Sequence, residues 1–353
     1  MKHYALSELA MSSLVAITLF ACKDTSNDKA VTNKPASKPA EAAAKKDVTK
    51  LVIYSGRSEG LVGSILKKFD NAHPEIELDV RYNKTPALAN QVKAEGAQCP
   101  ADVLWFQDSG YLSSLKDQLA VLPETITSTI DQRFLPTDKR WLGVTGRLRV
   151  LVYNTNELKP EQLPQSLKEL SAPKWKGKIG WAPGNASLHA HVSALRHTWG
   201  EEETEKWLTA MKANEPMRFP KNSPQVKAAN AGEISIGWVN HYYLHKLKTD
   251  DYKAANFSFP TENDPGNVLM LSGAAIRSGS KNQEAAQKLL KYLVSKDVQT
   301  YFAKDRFEYP TKPGIPTHPD VAPLNSLKLS NVDQSVLADV EKSVQLLNKL
   351  GIE

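Results

Sequence analysis

The stretch "WVNHYYLHKLK" (238–248) places Tyr242 and Tyr243 side by side, with a histidine close by on each flank. A phenolate is a hard, anionic oxygen donor, and a small, highly charged cation such as ferric iron prefers hard oxygens. Tyrosine ordinarily loses its proton near about pH 10, but a bound trivalent ion stabilises the phenolate at neutral pH. The pair therefore indicates either a metal-binding wall or, more simply, one ring in the core and one at the surface.

The histidines give a weaker indication of metal chemistry. His241 and His245 are four residues apart and would share one helix face, as zinc ligands can. No third or fourth ligand accompanies them, so two histidines on a helix surface is the simpler interpretation. His189 and His191 are two apart and would diverge on a helix, which favours metal binding still less.

Several residues are suited to binding an oxyanion. Arg147 and Arg149 lie two apart in a predicted strand and so face the same side, and Arg57 lies in a predicted strand-to-helix loop. Guanidinium groups bind oxyanions through paired hydrogen bonds. Asn185 or Ser187 can cap the helix that follows, and the free amides of a helix N-terminus attract anions. Structural salt bridges and a plain helix cap explain the same residues equally well.

Enzyme and nucleic-acid functions have little support in the sequence. It contains no Walker loop, Cys-x-x-Cys or His-Glu-x-x-His motif. The net charge of +6 is spread over 45 basic and 39 acidic residues, without a dominant basic block in the globular part. We therefore predict neither catalysis nor nucleic-acid binding.

The pattern of apolar residues predicts the elements that position these side chains. Alternating strands and helices from residue 51 to 106 predict a mostly parallel sheet covered by helices. Ligands of such sheets bind beyond the carboxyl ends of the strands, here at 54–59 and 107–110. A strand at 147–156 could lead into a second lobe. The strand at 233–240 runs into the tyrosine pair, which begins a helix, so both phenols can edge one cleft wall.

The N-terminus is predicted to be processed rather than folded. Residues 11–21 form an apolar run too short to span a bilayer, which takes about 20 residues, but typical of a secretory signal. The run ends in "LFAC", which resembles a bacterial lipoprotein lipobox with Cys22 acylated; the alternative is an ordinary signal with a chance cysteine. Residues 23–48 are poor in bulky apolar side chains and are predicted to form a flexible tether. Cys99 would then be the only free thiol.

Seven stretches together resemble one family, the ferric-iron-binding solute-binding proteins of bacterial ABC importers. The similarity covers about residues 49–353 and rests on "VIYSGRSE", "CPADVLWFQD", "TGRLRVLVYNT", "PKWKGKIGWAP", "NHYYLHKL", "LSGAAIRS" and "FEYP". The resemblance implies an α/β, two-lobed periplasmic-binding-protein (type II) fold. Its lobes close over the ligand by a hinge movement, and the closed form docks on a membrane permease.

The resemblance also implies roles for individual residues. Tyr242 and Tyr243 match the two consecutive tyrosines with which the family binds ferric iron. A histidine and a glutamate that many members add from the first lobe appear here as Ser58 and Gln107, which are poor ferric ligands. This departure resembles a subgroup in which arginines hold carbonate or a similar synergistic anion that completes the coordination of the iron.

The resemblance implies that Tyr54 would be a further phenolate ligand of the iron or would lie outside its coordination sphere. It also implies that residues from both lobes would bind the anion. The expected anion-binding residues are Arg57, Arg147, Arg149, Asn185, Ser187 and Asn240.

The predicted domain organisation has an N-terminal lobe made of two chain segments. The boundaries are a lipoprotein-type signal peptide at 1–21, a lipid-anchored tether at 22–48, the N-terminal lobe at 49–150 and 273–323, the C-terminal lobe at 151–272, and helices at 324–353 that pack on the C-terminal lobe.

The resulting functional hypothesis is a monomeric substrate-binding protein in the periplasm or at the cell surface, anchored through lipid on Cys22. It would deliver ferric iron, alone or as a chelate, to an ABC permease of the inner membrane. A second hypothesis keeps the fold but makes the ligand a free oxyanion, such as a phosphonate or an organic acid, without metal. A third is an extracytoplasmic hydrolase that uses a bound metal.

Overall fold

A computed structural model describes residues 48–353, which lie in one compact unit. The predicted signal peptide, Cys22 and the tether up to residue 47 lie outside the described residues. Among the helices that are described, none has the length and apolar character needed to cross a membrane.

The described residues alternate between strands and helices, as the sequence predicts. The strands are β1 Thr49–Ser55, β2 Ile76–Tyr82, β3 Val103–Phe106, β4 Leu142–Asn154, β5 Ile179–Trp181, β6 Met217–Arg218, β7 Ile236–Asn240, β8 Ala254–Phe257, β9 Leu269–Ile276 and β10 Tyr309–Pro310. The helices are α1 Glu59–Ala72, α2 Thr85–Glu95, α3 Ser109–Ser113, α4 Glu124–Thr127, α5 Ala186–Trp199, α6 Glu201–Ala213, α7 Asn222–Ala231, α8 Tyr242–Leu247, α9 Gln283–Leu293, α10 Lys296–Arg306 and α11 Val340–Lys349.

The strands follow the order β2-β1-β3-β9-β4-β7-β5-β6, with β8 and β10 also paired to β4. The parallel pairing predicted for the strands between residues 51 and 106 is confirmed, because β1 pairs in parallel with β2 and β3. Strand β5 also pairs in parallel with β6 and β7. Strand β9, in contrast, is antiparallel to β3 and β4, and β4 is antiparallel to β7.

Strand β4 joins two regions of this sheet. Its first part, through Leu148, pairs with β9, and its second part, from Arg149, pairs with β7 and β8. All of its residues are buried. The prediction that this strand leaves the first lobe for a second agrees with that pairing, and β4 itself begins five residues earlier than predicted.

Two hydrophobic clusters accompany the two sheet regions. The larger contains β1, β3 and β9 residues packed against α1, α2, α9 and α10. The second is rich in tryptophan, and the rings of Trp207 and Trp238 meet edge to face at 5.7 Å. Helix α11 packs on α5, where the hydroxyls of Ser193 and Ser343 lie 2.8 Å apart. The exact lobe boundaries stay a prediction.

Candidate metal centre

The tyrosine pair lies where the sequence predicts, at the carboxyl end of a buried strand. Strand β7 ends at Asn240, and α8 begins at Tyr242. The rings of Tyr242 and Tyr243 stack, with centroids 4.2 Å apart and planes inclined by 29°. Tyr242 is 1% exposed and Tyr243 is partly buried. Both phenol rings therefore lie side by side at the start of α8.

The hydroxyl of Tyr242 is buried and has no hydrogen-bond partner within residues 48–353. Burial raises its pKa well above the ordinary value, as do Tyr243 and Glu308, while the charges of Arg57 and Arg147 lower it. An unsatisfied buried hydroxyl typically costs about 1–3 kcal/mol. The site therefore holds a polar atom that a ligand would satisfy.

His241 fixes the start of the tyrosine helix through two backbone contacts. Its Nδ1 accepts from the Leu148 amide at 3.0 Å, and its Nε2–H donates to the Phe307 carbonyl at 2.7 Å. Burial lowers its pKa to about 4. Because both ring nitrogens are occupied, His241 is a positioning residue. The ring of His245 stacks on Phe307 instead.

The other histidine pair diverges along α5, as predicted. His189 Nδ1 lies 3.0 Å from the Tyr111 hydroxyl, whereas His191 Nε2 lies 2.5 Å from the Pro265 carbonyl oxygen. In the part of the chain that the structure describes, no group of three or more His, Cys, Asp or Glu side chains could hold a metal ion.

Arg147 and Arg149 are fully buried on the same side of β4. Arg149 donates to Asn240 Oδ1 at 3.3 Å and to the Trp238 carbonyl at 2.8 Å, and its guanidinium lies 5.1 Å from the Trp238 ring centroid. Burial lowers the pKa of Arg149 to about 9. Arg147 lies 3.7 Å from Asp108 Oδ2, too far for a hydrogen bond, so its three guanidinium nitrogens have no hydrogen-bond partner in the described structure.

Arg57 is buried beside a carboxylate, Glu308, that was not predicted from the sequence. Its Nη2 donates to Glu308 Oε1 at 2.5 Å, while Nε and Nη1 lack partners among the described atoms. The other Glu308 oxygen accepts from the Thr145 hydroxyl. Burial alone would raise the pKa of Glu308, but Arg57, Arg147 and Thr145 lower it, so the group is ionised. The charged residue inside the otherwise apolar "FEYP" stretch was the available signal.

The start of α5 connects through Asn240 to one of these arginines, Arg149. Asn185 caps the helix, and its Oδ1 accepts from the Ser187 amide at 3.0 Å. Asn240 Nδ2 donates to Ser187 Oγ at 3.2 Å, and Asn240 also holds Arg149. The predicted anion-binding residues of this half therefore form a continuous chain of hydrogen bonds.

Asp108 is a second carboxylate that was not predicted from the sequence. It caps α3 through Oδ1, which accepts from the Gly110 amide at 3.1 Å. Burial raises its pKa to about 6, although Arg147 and Arg149 lower it. At neutral pH the group is mostly ionised. The site thus contains three guanidinium groups and two carboxylates.

Asp108→Asn is expected to stabilise the metal-free protein at neutral pH. The pKa of this carboxylate in the folded protein, about 6, exceeds its ordinary value of 3.8, so the protein loses stability as the pH rises from about 4 to 6. Asparagine is also a good N-cap residue, and it does not ionise. The variant therefore avoids this loss of folding stability, which is on the order of 3 kcal/mol above pH 6. Melting temperatures at pH 4 and pH 7 test this: a difference between variant and wild type that does not grow with pH would contradict it.

None of the remaining predicted residues hydrogen-bonds to the tyrosine pair among the described residues. The Tyr54 hydroxyl donates to Glu95 at 3.1 Å and accepts from Gln91 at 3.1 Å. Burial and Glu95 raise its pKa to about 12. Ser58 is exposed and directly precedes α1. The backbone amide of Gln107 donates to Thr85 Oγ1. The predicted loops at 54–59 and 107–110 thus contribute Arg57 and Asp108 to the site. The hydroxyl of Tyr54 is instead hydrogen-bonded to residues of α2.

The chain is similar to known binding proteins along most of its length. Residues 89–328 match the family model described as bacterial extracellular solute-binding protein. An Fe(3+)-binding periplasmic protein of Serratia marcescens is 32% identical over 308 residues, which cover 86% of this chain and 90% of that protein. Both matches carry the names of binding proteins, which agrees with the prediction that the chain is not an enzyme.

Solved structures show the same fold. Iron-bound HitA from Pseudomonas aeruginosa superposes with a TM-score of 0.81 at 29% identity, covering 86% of this chain and 99% of that one. A Trichodesmium protein, IdiA (FutA), in complex with iron and citrate gives a TM-score of 0.73 at 28% identity, covering 86% and 100%. The predicted two-lobed periplasmic-binding-protein fold is confirmed. The chain therefore belongs to the bacterial extracellular solute-binding proteins, as a relative of the Fe(3+)-binding periplasmic proteins.

Proposed function

We propose that this protein is the substrate-binding component of an ABC importer and that its cargo is ferric iron, bound by Tyr242 and Tyr243 as phenolates. The observation that carries the proposal is the buried, unpartnered hydroxyl of Tyr242, which faces arginines with free N–H groups. A trivalent cation would replace both phenol protons and stabilise the phenolates by its own charge. The named cargo of the relatives supports the same conclusion.

Two phenolates leave most of the coordination sphere of a ferric ion open, and an anion such as carbonate would complete it. Arg57 and Arg147 offer five guanidinium nitrogens without partners in the described structure, and Arg149 offers one. Ser187, which Asn185 and Asn240 hold in place, would bind the anion from the start of α5. Tyr54 would act at most outside the coordination sphere, because its hydroxyl is bound to Glu95.

The two-lobed fold supports the proposed transport role. Two lobes would close over the iron: an N-terminal lobe at 49–150 and 273–323, and a C-terminal lobe at 151–272 that is covered by 324–353. The closed monomer would then dock on an ABC permease of the inner membrane. The protein would work in the periplasm or at the cell surface, held by lipid on Cys22. Iron would arrive alone or as a chelate.

A free oxyanion without metal is the second candidate, because the unpartnered guanidinium groups by themselves suit a phosphonate or an organic acid. In that case the tyrosines would only pack against the ligand. Such anions would then raise the melting temperature of the protein in metal-free buffer.

Titration of ferric citrate into the metal-free protein, with bicarbonate present, tests both candidates. We expect one iron per chain by metal analysis and a visible absorption band from phenolate-to-iron charge transfer. A colourless protein that is stabilised by phosphonates alone would contradict the iron proposal and favour the second candidate.

A further inference from the structure

The carboxylate of Glu308 lies among the arginines of the site but is not available as a ligand. Arg57 Nη2 holds one of its oxygens at 2.5 Å, and the Thr145 hydroxyl holds the other. The side chain is fully buried, and so is that of Arg57. Glu308 therefore acts on the cleft through its charge and through Arg57.

We infer that Glu308 is a specificity-determining residue: its buried charge makes the site reject a free dianionic oxyanion and accept that anion only together with a metal cation. This inference rests on the proposed function, which it deepens.

The charges of the site lead to this inference. Three buried guanidinium groups and the two buried carboxylates, Asp108 and Glu308, leave the metal-free site with one net positive charge. A dianion alone would change this to one net negative charge. A ferric ion that displaces two phenol protons then adds one positive charge, so the site is neutral only when metal and dianion are both bound. Net charge in a buried site is unfavourable, so this state is preferred.

Without the charge of Glu308 the preference reverses. The metal-free site would carry two net positive charges, a free dianion would neutralise it, and the additional iron would leave it positive. The two ligands are therefore expected to respond in opposite directions. A residue that only supported the fold would weaken the binding of both.

The test is Glu308→Gln, whose amide can still hydrogen-bond Thr145 but carries no charge. Sulfate and inorganic phosphate, both dianions at pH 8, are titrated calorimetrically into metal-free protein. Iron affinity is measured against citrate at saturating bicarbonate, which would bind with the iron as carbonate and release its proton to the solvent. We expect the affinity of the metal-free protein for these anions to rise about tenfold and the iron affinity to fall about tenfold, each about 1.4 kcal/mol. If both affinities fall, or neither changes, Glu308 does not set the selectivity.

The matched control is Asp339→Asn, which removes a carboxylate from an arginine outside the cleft. Asp339 lies 2.9 Å from Arg196, about two and a half turns along α5 from Ser187. We expect neither affinity to change in this variant. A shift like that of Glu308→Gln would mean that the effect does not come from the site.

A second comparison keeps the test decisive if Glu308→Gln does not fold. The double variant Arg57→Gln, Glu308→Gln removes both members of the ion pair. Its anion affinity is compared with that of the single variant Arg57→Gln. The double variant should bind sulfate about tenfold more tightly, and equal affinities would overturn the inference. If wild-type protein forms no iron band, the proposed function fails. If the band forms but the affinities do not diverge, only the role of Glu308 fails.

Discussion

The double variant Tyr242→Phe, Tyr243→Phe is expected to lose the visible iron band completely, and each single variant should bind ferric iron more than about 100-fold more weakly. Removing an outer-shell partner of a metal site typically costs about 10–100-fold, so loss of a direct ligand should cost more. Absorption spectra and competition with citrate measure both effects. An undiminished band in the double variant would exclude the tyrosine pair as the iron ligands.

Protein stability separates this result from unfolding. The Tyr242 hydroxyl is buried without a partner in the described residues, so its removal should not lower the melting temperature of metal-free protein. Tyr252→Phe is the matched control, because the buried Tyr252 hydroxyl also lacks a described partner, and burial alone raises its pKa. Its substitution should leave iron binding unchanged.

Arg147→Gln is expected to reduce iron affinity on the order of 100-fold and to abolish the gain in affinity that bicarbonate gives to wild type. Each charge-assisted hydrogen bond contributes about 1.5–3 kcal/mol, and Arg147 has three guanidinium nitrogens available for the anion. Iron titrations at several bicarbonate concentrations provide the measurement. A variant that still responds to bicarbonate as wild type does would contradict this role.

Arg147→Gln also leaves Asp108 without its cationic neighbour, which lies 3.7 Å away, so the metal-free variant should be less stable. Arg149→Gln avoids this complication. Burial lowers the pKa of Arg149 to about 9, and its guanidinium donates to Asn240 and to the Trp238 carbonyl. Arg149→Gln leaves the Asp108–Arg147 pair in place and should lose the bicarbonate response, while the glutamine amide can keep one of these two hydrogen bonds. Arg133→Gln, at an exposed arginine paired with Asp131, serves as the control.

The local parts of the site could be predicted from the sequence. The alternating pattern predicted β2 at its observed bounds, and the break after β7 predicted a helix that begins at Tyr242. The spacing of two residues put Arg147 and Arg149 on one side of a strand, and residue type identified Asn185 as a cap. Each of these features depends on neighbours within a few residues.

Partners that are distant in sequence could not be predicted in the same way. Glu308 pairs with Arg57 across 251 residues, and Asp108 meets Arg147 only after β9 and β4 are paired. No periodic pattern records such contacts. For the same reason Tyr54 looked available in the sequence, whereas in the fold α2 brings Glu95 to its hydroxyl. The direction of β9 likewise depends on where the chain re-enters the first sheet region.

Strand β4 carries Arg147 and Arg149 at successive same-side positions of one continuous backbone, with no loop between them. Their Cα atoms are therefore separated by two strand residues, about 6.8 Å, whatever the neighbouring strands do. In the proposed site, this fixed distance would limit the size of the anion that both guanidinium groups can bind. Insertions and substitutions elsewhere in the sequence can change the surroundings of the site during evolution, but they do not change this Cα–Cα distance.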